Sequence, residues 1–227
     1  DIVHPRVREL TAKSMATVPE DAVVVHDVPL LLENDMALDY HLVCVVTAEA
    51  SRRLEWLAER GLTPEHVAAR MASQVTDERR RREADALIEN NGTLDDLRAQ
   101  VDQLWRRRVL PFQENLKTSQ AAELSTELLP YDESWPQRFR RLELRLEDTL
   151  GRYVDQIEHV GATAVPGTEA AGVIDIRLWA KGVELEQLAV PLGERGWFSM
   201  GVAWRVPRFG YADPENPARL FVHTEVR

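Results

Sequence analysis

The sequence predicts an α/β fold that is organised as two units joined by a linker. Two β-branched apolar runs near the start, Ala22–Val25 and Leu42–Val46, are typical of buried parallel strands. Segments with apolar residues every three or four positions lie between and after them and predict covering helices. A second alternation of helical and strand patterns follows a stretch without periodicity, so the chain contains a second mixed unit.

Single residues mark the predicted ends of the first two helices. A helix predicted over Glu49 to Arg60 ends at Gly61, because glycine favours the position after a helix C-terminus. Thr63 and Pro64 then supply an N-cap and a first-turn proline for the next helix.

A further helix begins at Thr93, where Asp96 completes the pattern of a capping box. We predict that it runs to about Val109 and that Pro111 ends it, since proline cannot continue the helical hydrogen-bond ladder. We assign residues 1–116 to the first domain and 117–130 to the linker.

The second domain, residues 131–227, shows its own order of elements. The patterns predict an amphipathic helix over Trp135–Leu150, a loop over Gly161–Gly167, a strand over Val173–Leu178, a helix over Glu184–Gly196 that Pro191 could interrupt, and strands and loops from Trp204 onward.

Composition excludes several classes of protein. The net charge of −10 argues against a general nucleic-acid binder, which needs a surplus of Lys and Arg. The one cysteine, Cys44, is expected to be a buried strand residue and cannot form an internal disulfide, so a cytoplasmic location is expected. No apolar run approaches the roughly 20 residues that span a bilayer. The chain starts at Asp1 without a methionine, and we expect a fragment of something longer.

Candidate catalytic residues follow from position. Asp27 comes directly after the strand predicted at Ala22–Val25, where kinases with parallel sheets place a carboxylate that organises Mg²⁺ or orients substrate. The alternative is an acid that caps the following turn. Arg70 and Gln74 lie four residues apart and are expected to share one helix face. The arginines of 79–82 are mostly expected to face solvent, although one or two could bind phosphates.

The order of these motifs resembles the dephospho-CoA kinase family over residues 1–116. The segments are HP near the start, DVPLLLE, RMASQ, EADALIENNG and LWRRRV, in that order. The resemblance implies a P-loop kinase-type parallel sheet with helices. It also implies transfer of the ATP γ-phosphate to the 3′-hydroxyl of dephospho-CoA with Mg²⁺.

The resemblance assigns roles residue by residue. Asp27 matches the strand-end acid, and Arg70 and Gln74 match the family's R-x-x-x-Q element. Asn90, with Asn91 and Gly92, matches a turn that contacts adenine. Asp85 matches an Ala-Asp pair, for which a structural role is equally expected.

Two departures from the family limit this assignment. Glu55 stands where the family has a lid arginine, and Arg53 or its neighbour Arg52 is left as a substitute. The sequence contains no G-x-x-x-x-G-K-[ST], the loop whose backbone amides and lysine hold phosphates. We therefore expect an incomplete P-loop sheet, and a chain that does not catalyse phosphoryl transfer by itself.

The second unit resembles the GrpB-like family, which is related to nucleotidyltransferases, over residues 131–227. The segments are YDESWPQRF, IEHVGATAVPG and IDI. The resemblance implies a smaller α+β nucleotidyltransferase-like domain. This sequence departs from the family pattern in three places. Ala162 replaces the family's serine, and Ala170–Gly172 replaces its Lys-Pro pair. Arg177 stands where a second carboxylate would share the strand face with Asp175. We expect a folded, non-catalytic domain in which His159 and His223 pack rather than bind metal.

The sequence supports two functions of different class. The leading one is a dephospho-CoA kinase that acts on ATP and dephospho-CoA, with no nucleic-acid or membrane partner. The alternative is a non-catalytic protein that binds nucleotide or CoA, or that assists folding. An active nucleotidyltransferase is disfavoured by Ala162 and Arg177.

Overall fold

The computed structural model describes residues 3–19, 21–203 and 206–225. The helices are α1 Val3–Met15, α2 Ala50–Glu59, α3 Pro64–Ala72, α4 Asp77–Glu83, α5 Leu94–Leu104, α6 Leu110–Thr118, α7 Trp135–Leu150 and α8 Leu185–Glu194. The strands are β1 Cys44–Thr47, β2 Ala86–Glu89, β3 Val154–Val160, β4 Ile174–Lys181, β5 Trp197–Ala203, β6 Val206–Tyr211 and β7 Ala218–Glu225. The predicted α/β class is confirmed in both parts.

The first part is built on two parallel strands surrounded by helices. Val45 of β1 lies opposite Leu87 of β2, and the pairing continues to Thr47 and Glu89. The strand predicted at Ala22–Val25 is wrong, since these residues are irregular and the Val25 side chain is 80% exposed. β-branched residues favour extended backbone, but they form a buried strand only where a neighbour supplies hydrogen bonds and cover.

The expected burial of Cys44 is also wrong. The Cys44 side chain is exposed on β1, whereas Val43 and Thr47 are buried. In a sheet of two strands, one face of β1 packs on helices while the other has less cover, so an apolar run does not make every residue buried.

Pro111 does not end the helix that begins at Leu94. Residues Trp105–Val109 form a π-helical turn in which the Leu110 amide donates to the Trp105 carbonyl, and α6 continues through Pro111 to Thr118. A wider turn gives the proline ring room beside the preceding carbonyls and tolerates its missing N–H. α6 therefore extends into the predicted linker.

The second part is a five-stranded mixed sheet covered by α7 and α8. The strand order is β3-β4-β7-β6-β5, in which β4 and β7 run parallel and the other pairs run antiparallel. The predicted helix over Trp135–Leu150 is confirmed, and its buried face carries Leu142 and Leu146. Pro191 lies inside α8 without ending it.

The two parts share a packed junction. Phe112 of α6 belongs to the same buried cluster as Trp135, Tyr211 and the inner residues of β4. After α6 the chain crosses the sheet, where the Ala122 amide donates to the Tyr211 carbonyl at 2.9 Å. The residues between α6 and α7 are thus attached to the second part by hydrogen bonds as well as by covalent connection.

Two buried ion pairs cross this junction in opposite directions. Arg108 of the π-helical turn donates to the Asp213 carboxylate at 2.6 to 3.1 Å, and it also donates to the Asp85 carbonyl. Arg145 of α7 donates to the Asp85 carboxylate at 2.5 and 3.0 Å. Each part therefore contributes one aspartate and one arginine.

Within the described residues, no helix is both long and apolar enough to cross a bilayer.

Candidate functional site

The carboxyl ends of β1 and β2 meet in a hydrogen-bonded loop. The Asn90 amide donates to the Thr47 carbonyl at 2.8 Å, which joins the two strand ends. The Asn91 side-chain oxygen accepts from the Glu49 amide at 2.8 Å, where the chain enters α2. Ligands of parallel α/β sheets bind outside the carboxyl ends of the strands, so this edge is the candidate site.

Gly92 ends this loop at a position where a side chain does not fit. A Cβ placed there would lie 2.6 Å from an Asp96 carboxylate oxygen. That carboxylate accepts from the Thr93 amide at 2.8 Å, and the Thr93 hydroxyl accepts from the Asp96 amide, so the predicted capping box is confirmed. The close approach of the cap holds the loop against α5.

Arg52 and Arg53 occupy different environments beside the loop. Arg52 donates to the Gly92 carbonyl at 3.2 Å and lies 5.5 Å from the centre of the Trp56 ring. Arg53 makes a bidentate pair with Asp77 at 2.7 and 3.0 Å. Of the two arginines, Arg52 is the one that touches the loop.

Gln74 is connected to the Arg53–Asp77 pair through Arg80. Arg80 donates to the Gln74 side-chain oxygen at 3.0 Å and to Asp77 at 2.6 Å. The expectation that Arg70 and Gln74 share one helix face is wrong, because α3 ends at Ala72 and Gln74 lies beyond it. Helix termination within the R-x-x-x-Q spacing removes the four-residue periodicity on which that expectation depended.

Asp27 and Arg70 remain apart from this network. Both side chains are exposed, and neither forms a hydrogen bond or ion pair with another residue in the described ranges. Asp27 follows irregular chain rather than a strand, so the strand-end placement that singled it out is absent.

A second cleft, of about 310 Å³, opens on the five-stranded sheet beside the Gly161 turn. Asp175 lines it, and its carboxylate accepts from Arg219 at 2.6 and 2.8 Å. A Cβ at Gly161 would lie 2.6 Å from an Asp175 oxygen, and Gly161 has a φ of +76°. Asp175 is therefore neutralised by an arginine and covered by backbone.

Arg177 does not pair with Asp175, although it lies two residues further along β4. It lies 3.2 Å from Glu158 of β3, directly across the antiparallel pairing. The sequence reading missed Arg219, which is placed opposite Asp175 only by the parallel pairing of β4 with β7. No spacing in the sequence signals that register.

The two histidines of this part stack on aromatic rings. His159 stacks on Phe139 with ring centres 4.7 Å apart, and burial lowers the pKa of His159 below its ordinary value. His223 stacks on Trp179 at 4.3 Å. In the described part of the chain no three His, Cys, Asp or Glu side chains are grouped in a way that could hold a metal ion.

Comparison with protein families finds two separate matches along the chain. Residues 1–96 match the family described as dephospho-CoA kinase, and residues 125–226 match the family described as GrpB protein.

Curated relatives carry the first of these names. Dephospho-CoA kinase of Mycolicibacterium paratuberculosis is 39% identical over 201 residues, which are 86% of this chain and 49% of that protein. Dephospho-CoA kinase of Mycobacterium leprae is 37% identical over 204 residues, 86% of this chain and 50% of that protein. Dephospho-CoA kinase of Frankia casuarinae is 45% identical over 105 residues, 46% of each. The chain thus spans about half the length of the curated relatives that it matches.

A crystal structure of the conserved protein GrpB from Enterococcus faecalis aligns with 43% of this chain and 61% of its own, at 20% identity and a TM-score of 0.38. Together, the family matches show similarity to the dephospho-CoA kinase family in residues 1–96 and to the GrpB family in residues 125–226 of one chain.

Proposed function

We propose that the protein to which this chain belongs is a dephospho-CoA kinase, which transfers the γ-phosphate of ATP to the 3′-hydroxyl of dephospho-CoA. The observation that supports this most is the loop Asn90–Gly92, which lies at the carboxyl ends of both parallel strands within the segment that matches the kinase family. We assign 1–116 to the kinase-like domain, 117–130 to the linker and 131–227 to the GrpB-like domain.

The loop and its neighbours are proposed to form the adenine side of the ATP site. Asn90, Asn91 and Gly92 present backbone and amide groups at the sheet edge, where a base can form hydrogen bonds. We propose that Arg52, rather than Arg53, takes the role of the lid arginine, since Asp77 already engages Arg53 in two hydrogen bonds. Arg53 and Gln74 then act indirectly, by holding α4 against α2.

Asp27 and Arg70 are proposed to act on the phosphate side. Both are exposed, so they are accessible to a ligand, and their opposite charges suit an acid that orients the substrate hydroxyl and a cation for phosphate. Mg²⁺ accompanies ATP in this family, and among the described residues no three His, Cys, Asp or Glu side chains are grouped to hold a metal ion without the nucleotide.

An assay of ADP release that depends on dephospho-CoA tests this function. It should be run on residues 1–227 and on the product of the whole gene. Because this sequence contains no G-x-x-x-x-G-K-[ST], we expect residues 1–227 to bind ATP without turnover and the whole product to phosphorylate dephospho-CoA. ATP or CoA binding without turnover by the whole gene product would favour the non-catalytic alternative. Absence of both binding and turnover would refute the kinase.

A further inference from the structure

A separate cleft of about 280 Å³ opens beside the first turn of α7 in the GrpB-like domain. Its walls include Leu129, Pro130, Trp135, Arg138, Gly172 and Pro217. None of the residues of the Asn90–Gly92 loop lines it, and neither does Asp175. Its apolar walls and small size suit a ligand of few atoms rather than a nucleotide.

Trp135 supplies one hydrogen-bond donor to the wall of this cleft. The Trp135 side chain is 1% exposed, and its indole nitrogen would lie 3.9 Å from a Cβ at Gly172, on the cleft wall. Within the described ranges no acceptor lies at hydrogen-bond distance from this N–H. The nitrogen is not fully buried, so its N–H stays accessible from the cleft and is free to donate to a ligand there.

Arg138 supplies a second set of donors to the same cleft. Its guanidinium donates to the Asn216 side-chain oxygen at 2.9 Å and to the Glu215 carbonyl at 3.2 Å, both of which are neutral. Among the described residues no carboxylate lies within ion-pair distance of Arg138. Burial lowers the pKa of Arg138, and the Asp132 carboxylate only partly opposes this.

The wider charge balance explains why Arg138 has no counterion. Asp85 is engaged by Arg145, and Asp213 is engaged by Arg108. A further arginine, Arg141, reaches Asp85 only at 3.4 Å. The junction therefore contains four arginines but only two aspartates with buried side chains: Arg108, Arg138, Arg141, Arg145, Asp85 and Asp213. Asp132 acts on Arg138 only from beyond ion-pair distance, so an anion in direct contact with Arg138 would stabilise this half-buried charge.

The residues around the cleft also indicate what kind of anion fits. A planar guanidinium and an indole N–H together match the two oxygens of a carboxylate. Asp132 and Glu215 line the same cleft and would repel a dianion such as phosphate more strongly than a monoanion. We propose that this cleft binds a small monocarboxylate, with Arg138 and Trp135 as its donors and Leu129, Pro130 and Pro217 against its alkyl group.

Propionate is a suitable probe, and the indole N–H of Trp135 is the reporter. Residues 1–227 labelled with ¹⁵N should be titrated at constant ionic strength, with the Trp135 signal assigned from Trp135→Phe. We expect a saturable shift of that signal, weakened about tenfold by Arg138→Gln. Arg140→Gln is the matched control, because Arg140 is exposed on the same helix and pairs with Glu143; it should bind as the unsubstituted chain does.

Two comparison ligands and one conservative variant complete the test. Propionamide keeps the size but not the charge, and equal binding of it would overturn the proposal. Inorganic phosphate that binds more tightly than propionate would overturn the carboxylate class, and the lack of any saturable shift would overturn the site. If Arg138→Gln does not fold, Arg138→Lys preserves the charge without the planar fork and should weaken propionate binding by a smaller factor.

Discussion

The Asp85 carboxylate and the Arg145 guanidinium form a bidentate pair, with N–O distances of 2.5 and 3.0 Å, that connects the start of β2 to α7. The two side chains are 2% and 9% exposed. Burial alone would raise the pKa of Asp85, but the charge and hydrogen bonds of Arg145, together with the Val43 amide, outweigh it and lower that pKa below its ordinary value. The pair ties the strand that leads into the Asn90–Gly92 loop to the other domain.

Asp85→Asn is expected to destabilise the protein by about 3 kcal/mol, because it keeps the shape but leaves Arg145 buried without its counter-charge. The free energy of unfolding in urea measures this. Asp95→Asn is the control, since Asp95 is 89% exposed and should change stability by less than about 0.5 kcal/mol. Equal effects of the two substitutions would contradict a buried ion pair at the junction.

The free energy by which the Asp85 carboxylate stabilises the fold should decrease as the pH is lowered. A folded-state pKa lowered from the ordinary value of 3.8 means that the unfolded chain binds the proton more readily. The stabilisation is therefore fully present above that ordinary value and is lost as the pH falls through the folded-state pKa. The free energies of unfolding of the unsubstituted chain and of Asp85→Asn should differ by a constant amount at neutral and weakly acidic pH. This difference should shrink as the pH falls below 3.8. A difference that grows on acidification would contradict this sign.

Gly161→Ala should destabilise the GrpB-like domain more than Gly167→Ala. Both glycines have positive φ, +76° and +77°, so both variants carry a backbone cost, and the ψ of −169° at Gly161 places it in a region that is essentially restricted to glycine. Only at Gly161 would the new Cβ meet another group, an oxygen of Asp175 that Arg219 holds in place. Thermal unfolding of both variants measures the difference, and equal melting temperatures would show that Asp175 moves away freely.

Asn91→Ala should weaken ATP binding about fivefold, because it removes the acceptor of the Glu49 amide and frees the loop from the start of α2. Asn91→Asp retains an acceptor oxygen and should bind within a factor of about two. Isothermal titration of the whole gene product with ATP measures both. If Asn91→Ala leaves ATP binding unchanged while dephospho-CoA turnover persists, the loop is not the adenine side of the site.

Elements with strong local signals could be predicted from the sequence. The helix Trp135–Leu150 follows from its apolar stripe, and the starts of α3 and α5 follow from Thr63 and Thr93, whose caps use neighbouring residues. The turn at Asn90–Gly92 was also correctly predicted, although the strand β2 before it was not. These features depend on contacts within a few residues, which periodicity and capping rules describe well.

The features that escaped prediction depend on distant parts of the chain. The run Ala22–Val25 has strand-forming residues, but whether it pairs is decided elsewhere in the fold. Arg219 reaches Asp175 through a register between two strands 44 residues apart. The role of Asp85 was left open between structure and function because its partner, Arg145, is 60 residues away.

Because the ion pairs Asp85–Arg145 and Arg108–Asp213 each join one domain to the other, neither domain can be exchanged without keeping the charges of both pairs. A recombination event, or a designer, that replaces the C-terminal domain with a relative's must bring arginine and aspartate at both corresponding positions. Otherwise Asp85 and Arg108 become buried ions facing a foreign surface. Exchange of this module would then proceed only between donors that carry the same pair of charges, and a successful chimaera would need both residues transplanted together.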